Sequence, residues 1–336
     1  MSRTTIKDLA EYTGLSLGTI SKYINGGEVK PKNKDLIDEA IKALHYNVNQ
    51  FARGLRTNRS KTIGVLIPSL ENFFCTSLVA SIEEELYQHQ FSVMVCAYQE
   101  DSQRERDQLR FLQSKNVDAI VIVPTNSFKT ARMVRDIIDT GTYCIAVDRK
   151  LMGIKCDYVG INNFQIAYDV TSYLLEKGHK RIGLLGTGQT TLTAIERYNG
   201  YAKALEDAGI AEDQALVGFG NNFASGAYRQ ARRFLRLRNR PTAIFATNYD
   251  TTLGAITAIN ELGLSVPEDI SVVGFDNLSV AKVFSPSLTI VAQPMQEISH
   301  ATVTRILANI DHPDAAGDDV VLKGYIVYGS SVLQRN

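Results

Sequence analysis

A chain of 336 residues, 44% hydrophobic and 21% charged, has enough apolar mass for two or three packed units. It has no run of about 18 apolar residues of the kind that spans a bilayer. Its net charge of zero hides an asymmetry: residues 1–61 carry 11 Lys and Arg against 6 Asp and Glu, so they stand at +5 and the remainder at −5. A basic head on an acidic body points to a polyanion as the partner of the head. The opening "MSRTTIKDLAEYTG" lacks the apolar core of a signal peptide, so a cytoplasmic location is expected. Cys75, Cys96, Cys144 and Cys156 are scattered without a C-x-x-C pair and are expected to be buried free thiols.

Residues 4–46 read as three short helices. Thr5 is placed to cap a first helix in which Ile6, Leu9 and Ala10 form one apolar stripe. Gly14 breaks it, and Ser16 caps a second helix, "LGTISKYIN", with Ile20 and Ile24 one turn apart. Asn25, Gly26 and Gly27 tolerate positive φ and end that helix. Pro31 suits the first turn of a third, whose Leu36, Ile37, Ala40, Ile41 and Leu44 make the apolar face. Two helices separated by "TGLS" match a helix-turn-helix, which sets the start of its second helix against base edges in a major groove. Leu17, Gly18 and Lys22 occupy that start, while Ser16, Thr19, Ser21 and Tyr23 are candidate phosphate donors. A three-helix bundle without a ligand is the competing reading. The next stretch, "NQFARGLRTNRSK" over 49–61, mixes Arg53, Arg56, Arg59 and Lys61 with Phe51 and Leu55. It is either a solvated basic linker or a segment that folds on an anionic partner and pushes an apolar side chain into it.

From Thr62 onward, short apolar runs alternate with helical stretches. "TIGVLIP", "FSVMVCAY", "DAIVIVP", "YCIAVD" and "DYVGI" form one series and "RIGLLG", "AIFAT" and "ISVVGFD" a second. Between them lie amphipathic segments such as "LVASIEEELYQHQ", "ERYNGYAKALEDAG" and "TLGAITAINELG". Continuously apolar strands alternating with helices imply parallel sheets covered on both faces. The pause near Asn162 divides them into two doubly wound α/β lobes, and ligands of such sheets bind beyond the carboxyl ends of the strands. Polar or aromatic residues just past those ends are Ser69, Asn72, Phe73, Phe74, Asp148, Arg149, Asn248, Asp276 and Gln293. Carboxylates and amides beside an aromatic ring suit a hydroxylated ligand. Phe73 also reads as core, and Asp148 and Asp276 as strand-end turn residues.

The run "TIKDLAEYTGLSLGTISKYING", followed by "LIDEAIKALHYNVNQFARGLRTNRSKTIGVLIP", closely resembles the LacI/GalR family of bacterial transcription regulators. The resemblance covers essentially the whole chain, and its first 68 residues are a specific signature. It implies a helix-turn-helix domain over 1–46, with Thr5, Asn25 and Asn33 joining the residues above at DNA. Residues 47–61 would be a hinge helix that forms when two protomers meet on an operator. Asn49 would start it, Ala52 would face the groove and the partner helix, Leu55 would wedge into the minor groove, and Arg53 and Arg56 would lie near phosphates. Gly54 inside that helix costs about 1 kcal/mol relative to Ala, so the helix is expected to fold only on binding.

The resemblance further implies a periplasmic-binding-protein-like pair of lobes over 62–336. One would comprise about 62–161 and 291–321, the other about 162–290 and 322–336. Arg197, in "ERYNGY", matches the family's Arg-x-x-Gly, which holds a ligand oxygen. Three departures stand out: Lys30 where relatives carry a Ser cap, the poorly hydrogen-bonding pair Leu17 and Gly18, and Asn248-Tyr249 where relatives carry Asn-Asp.

Enzyme motifs are missing. "GLLGTG" is not spaced as G-x-G-x-x-G, there is no Walker A or G-x-S-x-G run, and the five histidines lack metal-ligand spacing. A solute-binding protein without a DNA role would leave residues 1–61 idle. The expected protein is therefore a dimeric repressor, without cofactor or metal, that binds operator DNA under control of a small effector, a sugar or sugar derivative.

Overall fold

The computed structural model describes residues 4–24, 27–46, 59–220, 224–276, 281, 285–313 and 317–335. The chain divides into two compact units, 1–61 and 62–336. The expected hinge residues Asn49, Ala52, Arg53, Leu55 and Arg56, and also Asn25, lie outside the described residues.

The first unit contains α1 (Ile6–Thr13), α2 (Leu17–Ile24) and α3 (Pro31–Ala43). Leu9, Ile20, Ile37 and Ala40 are fully buried at their junction, one or two from each helix, as the apolar spacing requires. Gly14 ends α1 at φ 67° and returns its N–H to Ala10 O, a left-handed turn that costs a residue without Cβ nothing. Leu36, expected on the apolar face of α3, is instead more than a third exposed. No side chain caps α3: Lys30 contributes only its carbonyl, to the N–H groups of Asn33 and Lys34, and Pro31 fills the first turn.

In the second unit one sheet contains β1 (Thr62–Ile67), β2 (Ser92–Ala97), β3 (Ala119–Ile122), β4 (Tyr143–Val147), β5 (Asp157–Ile161) and β11 (Asp319–Leu322). The other contains β6 (Ile182–Thr187), β7 (Val217–Gly220), β8 (Ala243–Ala246), β9 (Ser271–Phe275), β10 (Thr289–Ala292) and β12 (Tyr325–Val327). Their orders, β2-β1-β3-β4-β5-β11 and β7-β6-β8-β9-β10-β12, are the same winding used twice. All described pairings are parallel except β10 with β12. The helices α4 (Phe73–Gln88), α5 (Ser102–Ser114), α6 (Phe128–Asp139), α7 (Asn163–Glu176), α8 (Leu192–Asp207), α9 (Ala224–Leu235), α10 (Tyr249–Glu261) and α11 (Met295–Asn309) follow the strands. Strands β3, β4, β5, β8, β9 and β10 are buried along their whole length, which is why they read as unbroken apolar runs.

The lobe boundary expected at 290 shifts. β10 stays in the second sheet through Ala292, paired with β9 and β12, so the chain returns to the first lobe only at α11, which packs on α4, β4 and β5. Two of the chain passages between lobes are stitched to each other: Asn162 donates its N–H to Leu322 O, and its Oδ1 accepts the N–H of Gly324. All four cysteines are free and buried.

Candidate functional site

At the head, the start of α2 is the accessible edge. Ser16, Leu17, Gly18 and Lys22 are exposed, with Leu17 46% accessible. Ser16 caps the helix by accepting the N–H of Thr19 at 3.2 Å, and the two hydroxyls pair at 2.9 Å. Leu17 lies outside the buried cluster of the head, and beside it Gly18 has open space, so the start of α2 presents a flat, partly apolar surface. Two of the residues expected at DNA, the phosphate donor Tyr23 and Thr5, are otherwise occupied. Tyr23 donates its hydroxyl to Asp38 Oδ1 at 2.6 Å, tying α2 to α3, and the carboxylate raises the phenol's pKa. Thr5 gives both its N–H and its hydroxyl to the Asp8 carboxylate, which lowers that carboxyl's pKa. Asn33 lies in the first turn of α3, partly buried, and Ser21 on α2 is also partly buried.

In the body, a cleft lies beyond the carboxyl ends of both sheets. Because both are wound in the same order, their reversal points, β1 beside β3 and β6 beside β8, meet there. Pro68 and Ser69 after β1, Val123 after β3, Thr187 ending β6 and Thr247 after β8 all line it. Asp148 and Asp276 end β4 and β9 in matching geometry. Each has positive φ (62° and 78°), and each gives its N–H to the adjacent strand, at Val159 O and Val291 O.

Between these two aspartates lies the Arg197 guanidinium, 6% exposed. Nε donates to Asn163 Oδ1 at 2.8 Å, Nη1 donates to Thr247 O, and the group stacks 3.9 Å from the Phe275 ring centroid. Nη2 is buried without a partner. Of the five buried side-chain nitrogens without a partner among the described residues, it alone belongs to a residue lining this cavity. Gly200 makes this placement possible: a Cβ there would meet Phe164 O at 2.2 Å, so only glycine lets α8 approach α7 closely enough for Arg197 to reach Asn163. The Arg-x-x-Gly spacing is thus a packing requirement as well as a ligand motif.

Asp276 accepts from Gln293 Nε2 at 2.7 Å and from the Tyr249 N–H at 3.2 Å, yet burial pushes its carboxyl up to about 6. Burial also raises Asp148, against the pull of Arg197 and Arg149. Asn248 caps α10 by accepting the Thr251 N–H, while its own N–H donates to Thr251 Oγ1. Arg149 is committed to Glu100 through two hydrogen bonds of 2.8 and 3.0 Å. Asn72 caps α4 through Cys75 N and donates Nδ2 across the cleft to Asp250 at 2.8 Å. Thr193 likewise crosses, donating to Asp148 O at 3.0 Å.

Ser69, Asn72, Phe74, Asp148, Arg149, Arg197, Asn248, Asp276 and Gln293 therefore converge on one cavity. Phe73 does not line it; its ring packs against Tyr249 instead, 5.9 Å between centroids. Sequence reasoning missed Glu71, Gln99, Glu100, Thr187, Thr191, Thr193 and Thr247, although the strand-end rule that found Asp148 also covers Gln99, Glu100, Thr187 and Thr247. Cys75 reaches the cavity with its thiol pushed up to about 12 by burial, which leaves it without nucleophilic character.

Residues 171–332 match the model of a periplasmic binding protein-like domain. The transcriptional repressor PurR of Mannheimia succiniciproducens is 31% identical over 331 residues, covering 98% of each chain. A Lac repressor dimer bound to operator and an anti-inducer shares the fold with TM-score 0.88 at 25% identity, over 99% of this chain and all of that one. A CelR–cellobiose complex shares it with TM-score 0.73 at 25% identity, over 98% of this chain and all of that one. These relatives are transcription regulators, not enzymes. With a helix-turn-helix head, two matched α/β lobes and full-length similarity to repressors of this kind, the chain belongs to the LacI/GalR family of ligand-responsive, DNA-binding transcription regulators.

Proposed function

We propose that the protein is a homodimeric repressor whose operator affinity is set by a sugar or sugar derivative bound between the lobes. The observation that carries the effector part is the buried, unpartnered Nη2 of Arg197, set between Asp148 and Asp276 at the point where both lobes contribute strand ends. A hydroxyl accepts from that nitrogen and donates to a carboxylate at once, which neither an alkyl group nor an amine does. The complex of CelR with cellobiose supports the choice of ligand, and the operator-bound Lac repressor dimer supports the DNA geometry.

On DNA, α2 of each protomer enters a major groove with Leu17, Gly18 and Lys22 toward the bases, and Ser16, Thr19 and Ser21 toward phosphates. On this reading residues 47–61 supply the hinge, with Asn49 starting each of two paired helices and Leu55 wedging the minor groove between them. The unstacking costs a few kcal/mol, offset by contacts that the bend permits. The effector acts only through unequal affinity for the DNA-competent and DNA-incompetent lobe arrangements, with an expected coupling of about 1 to 3 kcal/mol, roughly 5- to 150-fold in operator affinity.

Operator binding by the intact dimer, titrated with and without a sugar that raises its melting temperature, tests this reading. Equal operator affinity with and without every such sugar would sink the allosteric claim. Leu55→Ala should weaken operator binding and leave sugar binding intact; unchanged operator affinity would remove the wedge.

A further inference from the structure

The cleft's own charges narrow the ligand further, an inference that rests on the reading of this cleft as the effector site. The cavity wall holds two guanidinium groups, and only one is available. Arg149 faces Glu100 with both terminal nitrogens, so its charge is already answered. Arg197 has one nitrogen to offer. Against that single cation stand four further carboxylates on the same wall: Glu71, Asp148, Asp250 and Asp276. Hydrogen bonds take up part of the capacity of Asp250 and Asp276, through Asn72, Gln293 and the Tyr249 N–H, without neutralising either.

A phosphate brings a charge of about −1.5 to −2 and needs several donors converging on its oxygens. This wall offers it one guanidinium nitrogen inside a ring of like charge, and like charges at such separations repel strongly in a partly desolvated cleft. A neutral hydroxyl meets the opposite situation: among the described residues the Asp148 carboxylate oxygens accept no hydrogen bond, with Arg149 Nε no nearer than 3.9 Å, so they are open to a donor. The cavity is also poorly suited to a flat heterocycle. Among the described residues Phe74 is the one aromatic ring on its wall, so a planar ligand would find a stacking surface on one side at most.

We infer that the effector is an uncharged polyol, and that Glu71, Asp148, Asp250 and Asp276 make the cleft reject phosphorylated and carboxylated sugars. Asp148 and Asp276 are ligand acceptors, whereas Glu71 and Asp250, at the same wall, act on the ligand through their charge, Asp250 while also accepting from Asn72 across the cleft.

The test uses the full-length protein and matched pairs: ribose and ribose 5-phosphate, glucose and glucose 6-phosphate, galactose and galacturonate, and the corresponding sugar alcohols. Binding is read by thermal shift and calorimetry. The expected result is binding of a neutral member, with its charged counterpart weaker by at least about 100-fold. The double variant Glu71→Gln with Asp250→Asn keeps side-chain shape and removes two negative charges. It should raise affinity for the charged counterpart by about 10-fold or more while changing the neutral sugar only a few-fold. A phosphorylated or acidic sugar that binds as tightly as its neutral partner overturns the inference and leaves the cleft reading standing. If no sugar of either kind binds while operator DNA still does, the cleft reading itself fails and this inference fails with it.

Discussion

A methyl group on Gly18 would meet nothing nearer than Ser16 Oγ at 3.8 Å, so this glycine is not demanded by packing within the head. Gly18→Ala should leave the melting temperature unchanged or raise it slightly, since alanine is the better helix former and position 18 lies in the first turn of α2. It should still alter the order of preference in a panel of operator variants, because the space opposite a base edge is filled. Lys22→Ala, one turn on, should flatten that preference, as loss of a base contact does, whereas losing a phosphate contact weakens all sequences alike. In the cleft, Arg197→Ala should abolish the effector's thermal shift. It also leaves Asn163 Oδ1 and Thr247 O without their donor and uncovers the Phe275 ring, so a lower melting temperature is expected as well. Arg197→Lys keeps the charge but not the fork that reaches both acceptors, and is expected to behave like the alanine variant for ligand binding.

The helix pairs set where these side chains point. Gly200→Ala puts a Cβ 2.2 Å from Phe164 O and 2.9 Å from Tyr168 N, backbone atoms that cannot turn aside. We expect α8 to be pushed off α7, a loss of about 1 to 3 kcal/mol in denaturant unfolding, and a weakened effector response although no ligand contact was mutated. In the head, Tyr23→Phe removes the hydroxyl that joins α2 to α3. A half-buried bond to a carboxylate contributes about 1 kcal/mol, so amide exchange over residues 4–46 should quicken several-fold. The effector lobes should show no change in the same experiment.

Asp157 ties one whole lobe together. Buried on β5, it accepts from the Tyr143 hydroxyl on β4, Asn309 Nδ2 at the end of α11, and the N–H groups of Gly317 and Asp318 that lead into β11. Burial alone would raise its pKa, but these donors and Arg305 outweigh that and hold it below the ordinary value. Its contribution to stability is therefore full above the range of a free aspartate and is lost as pH falls through the depressed value. Asp157→Ala strands four donors and should cost about 3–5 kcal/mol in denaturant unfolding.

Asp276 has the opposite sign. With its carboxyl raised to about 6, its favourable share is full below the free-aspartate range of about 4 and declines as pH rises through 6. Ligand binding runs the other way, because a hydroxyl donates best to the ionised carboxylate. The effector's dissociation constant should rise as pH drops from 7 to 5, and a flat profile would show that Asp276 does not accept from the ligand.

Several features were determined by the sequence itself. The apolar periodicity of residues 4–46 dictates three helices, because Leu9, Ile20, Ile37 and Ala40 can leave water together in no other spacing. The unbroken apolar runs dictate parallel strands buried on both faces, and eight of the nine strand-end candidates line the cleft, Phe73 being the exception. β7 and β11 were not legible: "VGFG" lacks apolar weight, and "DVVL" is a half-exposed edge whose pairing with β5 joins residues some 160 positions apart.

The same limit applied to side-chain roles. That Phe73 packs on Tyr249, that Tyr23 serves Asp38, that Arg149 is consumed by Glu100 while one nitrogen of Arg197 is left unpaired, are facts of distance between segments remote in the chain. Local sequence sets which groups can donate or accept. Only the packed lobes decide which of them are already satisfied, and therefore which are left for a ligand.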